Sequence, residues 1–402
     1  MAIAKVVHLA NVDIGLRIHG RKQMVYLKQL GYEVHAVTPP GRWITADGPT
    51  EDGIPVKLAN YTSSARTPIR DARALVELVR YFRAQRFDIV HTHGLKPGLL
   101  GRLAARIARV PIVVHTVHGL FFYEGMSALQ RRVWALVEGV GMKLGDYALS
   151  QNREDIEVAI AMGLCRPERI GYLGNGVDLE SFNPEAIDPQ AVAVLRRQCG
   201  VAPGERVVCI AGRFLVEKGY LEFFQAARRI RERRRDVHFW AVGAEQPERP
   251  GSLTDHPTAA EASRFVRFLG MRQDMPAVLA AADVFVLPSH GREGIPRVLM
   301  EAAAMGRPTV VTDVRGCREV VEHGVTGLLV RARDPEALAA AILRLIGDRD
   351  GAARLGARAR EFARRHFDEN EYCKRIAYCY ESLLKKELPT GLEWSVEAGR
   401  RA

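Results

Sequence analysis

Short apolar segments alternate with helical patterns along nearly the whole chain, and this alternation restricts the possible folds more than any other feature. Strand-like runs in the first half are residues 5–10, 33–37, 87–91, 112–116 and 147–150. In the second half they are 207–211, 238–242, 265–269, 284–287, 309–312 and 327–330. Strands that alternate with helices predict parallel sheets covered by helices on both faces. We therefore predict an α/β protein with two Rossmann-like domains.

The segment 175–184 separates the two halves, because its Asn, Gly, Asp and Pro residues favour turns. We place the domain boundary near residue 185, so that the domains span 1–185 and 186–370. A chain of 402 residues is long enough for two domains with separate cores. Ligands of open α/β sheets bind beyond the carboxyl ends of the strands, so two facing domains would bring both ligand sites to one central cleft.

Two glutamates, Glu293 and Glu301, follow the predicted strand 284–287. Pro296 suits the first position of a helix, because proline lacks the amide that would be unpaired there, and helix formers follow from Arg297. At ~1.5 Å per residue the two carboxylates would stand roughly 12 Å apart, with the phosphate-attracting amides of the helix N-terminus between them. This layout suits a nucleotide sugar: one carboxylate would bind sugar hydroxyls, the helix N-terminus the diphosphate, and the other carboxylate the ribose diol. Two ordinary surface glutamates beside a helix start would have the same spacing.

This segment resembles the glutamate-x7-glutamate signature of family 4 retaining glycosyltransferases, and the segments 301–313, 316–319 and 324–330 continue in the order typical of that family. The resemblance implies the GT-B architecture, with an acceptor-binding N-terminal domain and a C-terminal domain that binds the nucleotide sugar. It also implies that a helix at 371–387 crosses back to the N-terminal domain and precedes a tail at 388–402. Ile295 stands where Phe or Leu is more usual.

A second motif, Gly-Arg-x4-Lys-Gly, follows the predicted strand 207–211 and resembles the diphosphate clamp of the family. Arg213 and Lys218 would neutralise the charge that develops on the departing diphosphate. Two solvated loop cations are the alternative. The resemblance adds Glu293 and His118 to the catalytic set, and it implies retention of anomeric configuration by front-face attack, in which the departing diphosphate accepts the proton of the acceptor. The protein would contribute positioning and charge stabilisation.

The resemblance implies further donor contacts in both domains. These are Gly15, Met271, Arg272, Gly294, Ile295, Pro296, Arg297 and Glu301. A glycine at position 15 lets the backbone approach a phosphate, but the family often has adjacent glycines there and this chain has one. Met271 and Arg272 lie in the turn that contacts the base, for which uracil is commonest in the family. His118 matches the position that reaches the donor sugar, whereas we expect His115 to be structural.

Acceptor contacts are predicted at Arg17, His19 and Lys96. The first two could contact an acceptor phosphate or be ordinary loop residues, and Lys96 precedes a helix whose N-terminus could bind phosphate. His91 and His93 would point to one face of a strand like a metal pair, but no third ligand is evident nearby, so we favour packing or acceptor contact. We therefore expect no metal and no cofactor, since the nucleotide sugar is a substrate.

The net charge of +11 favours anionic partners. Nucleic acid is not expected, because the sequence has no recognisable DNA-reading motif and no aromatic–basic interleaving. Aromatic residues at 119–126, close to Arg131, Arg132 and Trp134, suit an anionic membrane interface, with a lid over the acceptor pocket or core packing as alternatives. We expect a cytoplasmic protein, because the six cysteines include no Cys-x-x-Cys pair, no apolar run has bilayer length and the N-terminus does not resemble a signal sequence. Together with the aromatic and arginine residues, this predicts a peripheral position on the inner membrane face.

The resulting hypothesis is a glycosyltransferase that moves a hexosyl or N-acetylhexosaminyl group from a nucleoside-diphosphate sugar to a polyprenyl-diphosphate-linked or other glycan acceptor in cell-surface polysaccharide biosynthesis. Transfer to a small molecule, sugar-nucleotide epimerisation and a silent nucleotide-sugar-binding scaffold are the alternatives. A nicotinamide oxidoreductase is not expected, because neither domain's first strand is followed by Gly-x-Gly-x-x-Gly.

Overall fold

The computed structural model describes residues 2–13, 15–16, 20–41, 43–61, 67–123, 125–291 and 293–392. The chain forms two compact units, one made of Met1–Gly174 with Asn370–Ala402 and the other of Asn175–Glu369. Each unit contains a largely or wholly parallel sheet with helices between most successive strands. The predicted α/β class with two parallel-sheet domains is therefore confirmed.

The first unit has an eight-stranded sheet in the order β3-β4-β2-β1-β5-β6-β7-β8. Its strands are β1 (Lys5–Leu9), β2 (Glu33–Thr38), β3 (Gly48–Pro49), β4 (Pro55–Leu58), β5 (Ile89–His93), β6 (Ile112–Val117), β7 (Tyr147–Ser150) and β8 (Ile170–Tyr172). Its helices are α1 (Arg21–Gln29), α2 (Pro68–Gln85), α3 (Leu95–Ala108), α4 (Ala128–Lys143) and α5 (Arg153–Ala161). Among the strand pairs that the structure describes in this sheet, the β3–β4 pair alone is antiparallel. The short strands β3, β4 and β8 are not anticipated by the sequence pattern.

The second unit has a six-stranded parallel sheet in the order β11-β10-β9-β12-β13-β14. Its strands are β9 (Arg206–Ala211), β10 (Val237–Val242), β11 (Val266–Gly270), β12 (Val284–Leu287), β13 (Thr309–Thr312) and β14 (Leu328–Val330). Its helices are α6 (Pro189–Gln198), α7 (Tyr220–Arg233), α8 (Pro257–Ala262), α9 (Met275–Ala281), α10 (Arg297–Ala304), α11 (Arg315–Arg318), α12 (Pro335–Gly347) and α13 (Arg349–His366). A final helix, α14 (Glu369–Leu384), leads back into the first unit.

Strand pleating distributes the core to both faces of each sheet. In β9, Val207, Cys209 and Ala211 belong to one buried apolar cluster, whereas Val208 and Ile210 belong to another. Successive side chains of a strand point to opposite faces, so a strand covered by helices on both sides is apolar at every position. This explains why the strands read as continuous apolar runs rather than as alternating ones.

The units divide at Gly174–Asn175, about ten residues before the predicted boundary. The turn-rich segment belongs to the second unit because the Val177 amide donates to the Phe367 carbonyl at 2.9 Å, and the Glu369 amide donates back to Val177 at 3.3 Å. The predicted tail also begins with structure, since Leu392 in the short helix Thr390–Leu392 is buried in the core of the first unit. Residues 393–402 lie outside the described part.

Candidate functional site

The turn between β12 and α10 carries the predicted donor-site residues. Helix α10 begins at Arg297, and Pro296 occupies its N-cap rather than the predicted first helical position. Among the residues that the structure describes, no side chain caps this end of the helix, so its first amides keep their preference for an anionic partner. Beside them Ile295 is buried, which allows it to anchor the turn against the core of the second unit.

Glycines bring two neighbouring segments against this turn. A Cβ at Gly316 would collide with the carbonyl oxygen of Gly294, so the short helix α11 after β13 can approach only with glycine there. Gly219 has a φ of 80°, in the left-handed region, and a Cβ there would collide with the carbonyl oxygen of Pro288. Both glycines are therefore required by close backbone approach.

Lys218 and Glu293 meet at the centre of this site. The Lys218 Nζ lies 2.6 Å from Glu293 Oε1, and their side chains are only 15% and 7% exposed. The Ser289 hydroxyl lies 2.6 Å from the same carboxylate oxygen. The amides of His290 and Gly291 donate to the Glu217 carbonyl at 3.0 and 3.2 Å, which ties the lysine loop to the glutamate turn. The structure thus joins two motifs that the sequence analysis treated separately.

Arg213 differs from Lys218 in its surroundings. Its guanidinium lies 3.6 Å from Glu217 Oε1, and the two side chains are 45% and 51% exposed. Such an exposed pair contributes little to stability. Arg213 is therefore a cation at the same strand end whose removal should leave the fold intact.

Glu301 is buried within α10 and accepts a hydrogen bond from Arg297 Nε at 3.1 Å. Burial raises the pKa of the Glu301 carboxyl, the nearby Arg297 opposes this increase, and the negative charge of Glu369 adds to it. The Arg297 Nη2 lies 4.0 Å from Glu369 Oε1, so one guanidinium is shared by two carboxylates. Glu369, far away in sequence, was not anticipated as part of this cluster.

The turn after β11 contains Met271 and Arg272. The Arg272 guanidinium forms a two-pronged ion pair with Asp274, with contacts of 2.8 and 2.5 Å. This pairing raises the pKa of Arg272. Met271 is 48% exposed. The structure therefore leaves Met271 as an accessible apolar side chain of the turn, while the charge of Arg272 is compensated by its neighbour.

The loop after β1 contains Gly15, whereas Arg17 and His19 lie outside the described residues. Among the described atoms, a Cβ at Gly15 would meet Val12 at 3.7 Å and Ala10 at 3.9 Å, which are ordinary contact distances. Packing against the described residues of this unit thus does not demand glycine at position 15.

Lys96 is engaged by helix α2. Its Nζ lies 2.8 Å from Asp71 Oδ2 and 2.8 Å from the Thr67 hydroxyl. Helix α3 begins one residue before it, at Leu95, after Gly94 at the N-cap. The charge of Lys96 is thus compensated by Asp71. An acceptor phosphate at the predicted site would have to share the Lys96 ammonium with Asp71.

Histidines from two strands, β1 and β5, and from the loop after β6 meet on one side of the first sheet. His118 is exposed, and its Nε2 lies 3.1 Å from Nδ1 of His93. His115 is buried on the other face, within 2.9 Å of the Thr92 hydroxyl, in keeping with the structural role expected for it. The expectation that His91 and His93 lack a third nearby ligand was wrong, because His8 of β1 joins them. Neighbouring parallel strands bring His8 opposite His91, which the distance in sequence conceals.

The three-histidine cluster could in principle hold a metal ion, since ligand atoms of His8, His91 and His93 lie within 4.8 Å of one another. However, His91 Nδ1 lies 2.6 Å from the Tyr380 hydroxyl, and its Nε2 lies 2.7 Å from the Thr116 hydroxyl. Both nitrogens of His91 are thus engaged in hydrogen bonds, which a metal would have to break. The arrangement fits a hydrogen-bonded network better than a preformed metal centre.

The aromatic residues before α4 pack against neighbouring side chains, whereas contact with a membrane was expected from the sequence. Phe122 is only 1% exposed, and the Phe121 ring lies 5.5 Å from that of Trp134. The exposed apolar side chains of this region lie on α4 itself, at Leu129, Val133, Leu136 and Val140. Their spacing of four, three and four residues places them along one face of the helix.

Two family models match the chain: the glycosyl transferase 4-like domain over residues 15–176 and the glycosyl transferases group 1 model over residues 205–348. The chain is 34% identical over 284 residues to the UDP-Gal:alpha-D-GlcNAc-diphosphoundecaprenol alpha-1,3-galactosyltransferase of Escherichia coli, covering 70% of this chain and 72% of that protein. It is 26% identical over 341 residues to the N,N'-diacetylbacillosaminyl-diphospho-undecaprenol alpha-1,3-N-acetylgalactosaminyltransferase of Campylobacter jejuni, covering 83% and 87%.

Among solved structures, the chain resembles HepE of Anabaena in complex with UDP and glucose. The TM-score is 0.76 at 22% identity, and the match covers 94% of this chain and 100% of that one. At this level of identity the likeness concerns the fold.

Proposed function

The chain belongs to the group 1 glycosyl transferases, and we propose that it transfers a sugar from a UDP-sugar, with retention of configuration, to a polyprenyl-diphosphate-linked glycan in polysaccharide assembly. The observation that carries the proposal is the Lys218–Glu293 pair in the turn that leads into the uncapped N-terminus of α10, with Arg213 following the same strand, β9, as Lys218. Cations and unpaired helix amides in one place suit a diphosphate that gains negative charge as it departs.

The donor is proposed to bind along the α10 turn. Its diphosphate would lie at the helix amides after Gly294 and Pro296, with Arg213 and Lys218 as counter-charges. Glu293 orients the Lys218 ammonium and can accept sugar hydroxyls through its remaining oxygen. Ionised Glu301 would accept hydrogen bonds from the ribose diol.

The chemical step follows from these contacts. The bond between the anomeric carbon and the diphosphate oxygen breaks, and the acceptor hydroxyl attacks from the same face. The departing diphosphate takes the acceptor proton, so the reaction needs no protein nucleophile. Lys218 and Arg213 stabilise the negative charge on the leaving group, and His118 is proposed to contact the donor sugar. The proposal includes no metal, because protein cations provide the counter-charge.

The acceptor is proposed to be reached at a membrane surface. The two relatives described above carry diphospho-undecaprenol acceptors in their names, and the exposed face of α4 offers Leu129 and Leu136, 73% and 69% exposed, to an apolar phase. Arg132 and Lys143 are both exposed. Each can contribute about 1 kcal/mol of binding free energy at a surface of anionic headgroups. Among the helices that the structure describes, none is long and apolar enough to cross a bilayer, so the proposed contact is interfacial.

Donor specificity is tested by the rise in melting temperature with a panel of nucleoside diphosphates and their sugars, because a ligand that binds only the folded state stabilises it. We expect selective stabilisation by UDP and one UDP-sugar, and transfer of that sugar to a polyprenyl-diphosphate-linked acceptor with retention seen by NMR of the product. An inverted product would refute the mechanism, and selective stabilisation by another nucleotide would refute the donor.

Membrane contact is tested separately by flotation with vesicles that contain anionic phospholipid. The Leu129→Ser/Leu136→Ser variant should remain with the soluble fraction, whereas wild-type protein floats. Val194→Ser changes an exposed apolar residue of the second unit, 39% exposed, and serves as the matched control. Equal flotation of all three proteins would contradict the assignment to α4.

A further inference from the structure

A hydrogen-bonded network runs through the core of the first unit to the exposed His118. His8, His91 and Thr116 lie on the strand faces that also carry Val6 and Ile89, in the core covered by α1 and α14. Strand pleating thus places polar side chains from β1, β5 and β6 on one face, beneath Tyr380 of α14.

Five contacts link the side chains of this network in series. They are His118 Nε2 to His93 Nδ1 at 3.1 Å, His93 Nε2 to His8 Nδ1 at 3.2 Å, His8 Nε2 to the Tyr380 hydroxyl at 3.3 Å, that hydroxyl to His91 Nδ1 at 2.6 Å, and His91 Nε2 to the Thr116 hydroxyl at 2.7 Å. The three inner histidines each use both ring nitrogens.

The inner imidazoles are neutral near pH 7. Burial lowers the pKa of His8 to about 3, and it holds the pKa values of His91 and His93 well below their usual range. A neutral imidazole has one donor and one acceptor nitrogen. Within the pair His8 and His93, fixing the proton of one ring therefore fixes the proton of the other, and with it whether His93 Nδ1 accepts from or donates to His118.

Gln23 sets the direction of this series. The Tyr372 hydroxyl lies 3.5 Å from Gln23 Oε1 and donates to it, which leaves the amide nitrogen facing His8 Nδ1 at 3.5 Å. His8 Nδ1 is then an acceptor, and the proton of His8 is on Nε2, where Tyr380 can accept it. An unprotonated Nε2 of His93 would face His8 Nδ1 lone pair to lone pair at 3.2 Å, so His93 donates from Nε2 and shares the lone pair of His8 with Gln23. The Nδ1 of His93 then accepts from Nε2–H of His118.

We propose that Gln23 and Tyr380, acting through His8 and His93, fix the tautomer of His118 so that its Nδ1 carries a lone pair that accepts a hydrogen bond from a hydroxyl of the sugar substrate. His8 and His93 are then positioning residues rather than catalytic ones. The sugar contact rests on the proposed function, but the tautomer does not. A lone pair on His118 Nδ1 selects a sugar hydroxyl that donates a hydrogen bond. A sugar with fluorine in place of that hydroxyl cannot donate one.

The tautomer is read directly from long-range ¹H–¹⁵N correlation spectra of protein with ¹⁵N-labelled histidine. We expect Nε2–H tautomers for His8, His93 and His118 in the wild-type protein. The Gln23→Leu variant removes the donor to His8 and should shift His118 toward the Nδ1–H form. His35→Gln is the control, because His35 is buried on β2 and bonded to Tyr81 and Glu33, outside the network.

Kinetics provide the second readout. Gln23→Leu should raise the KM for the UDP-sugar roughly 3- to 10-fold, the worth of one neutral hydrogen bond, with little change in kcat. An Nδ1–H tautomer of wild-type His118, or a stoichiometric metal ion in the purified protein by mass spectrometry, would overturn the network. The wild-type spectrum decides this even if the variant does not fold.

The two proposals fail in different ways. Nε2–H tautomers without any UDP-sugar binding would refute the proposed function and, with it, the sugar contact. UDP-sugar transfer whose KM is unchanged in Gln23→Leu, despite a shifted His118 tautomer, would refute the sugar contact alone.

Discussion

The ion pair between Lys218 and Glu293 makes the sharpest prediction, because it should serve both the fold and the reaction. Lys218→Met removes the ammonium but keeps much of the side-chain volume. Glu293 then loses a charge-assisted hydrogen bond in a site that is 7% exposed. Breaking a fully buried pair costs about 3–5 kcal/mol, but Ser289 remains beside the carboxylate. The cost should therefore lie nearer the roughly 1.5–3 kcal/mol of a single hydrogen bond to a charged group.

A loss of about 2 kcal/mol corresponds to a decrease in melting temperature of roughly 4–8 °C for a domain of this size. Because the carboxylate without its cation is the source of the cost, the double variant Lys218→Met/Glu293→Gln should recover part of that decrease. Arg213→Ala, which removes an exposed cation from the same strand end, should leave the melting temperature almost unchanged. The three variants thus separate folding from catalysis.

The variants should rank differently in turnover than in melting temperature. Loss of either cation removes stabilisation of the leaving group and should lower kcat by about 10²–10³-fold, and the double variant should stay inactive although it is more stable. Thermal unfolding followed by circular dichroism and steady-state transfer from the UDP-sugar measure the two effects. A melting temperature of Lys218→Met equal to that of wild type would mean that the ion pair does not contribute in solution. Recovered turnover in the double variant would show that the charge of Lys218 is not needed for the reaction.

Three further predictions concern other residues of the two units. Burial raises the pKa of Glu301 above its unfolded value. The protonated carboxyl therefore stabilises the fold at low pH, and this stability is lost as pH increases through the folded pKa. Glu301→Gln should melt at a higher temperature than wild type at pH 7, yet calorimetry should show that it binds UDP about 10- to 100-fold more weakly. Gly15→Ala has room beside Val12 at 3.7 Å, so melting should be unchanged in the free protein while stabilisation by the UDP-sugar falls. Lys96→Met breaks the pair with Asp71 and should lower the melting temperature. A raised KM for the acceptor in the same variant would support the predicted acceptor contact of Lys96, and an unchanged KM would count against it.

Much of the fold is predictable from the sequence because strand and helix patterns are local. The predicted runs correspond to β1, β2, β5, β6 and β7 and to all six strands of the second sheet, with ends that shift by one or two residues. The strand–turn–helix context of Glu293 and Glu301 is also local, since Pro296 and the adjacent glycines set it within a few residues. The domain boundary is not local: Val177 belongs to the second unit because it pairs with residues near 368.

The pairings that define the candidate sites depend on strand order. Lys218 meets Glu293 because β9 and β12 are neighbours in the sheet, although β10 and β11 come between them in sequence. His8 meets His91 for the same reason, since β1 lies beside β5. By itself the sequence determines that the chain forms parallel βα units and which residue types stand at the strand ends. Only the tertiary structure decides which strand ends are adjacent, because strand order follows from how the helices pack across the sheet and not from periodicity.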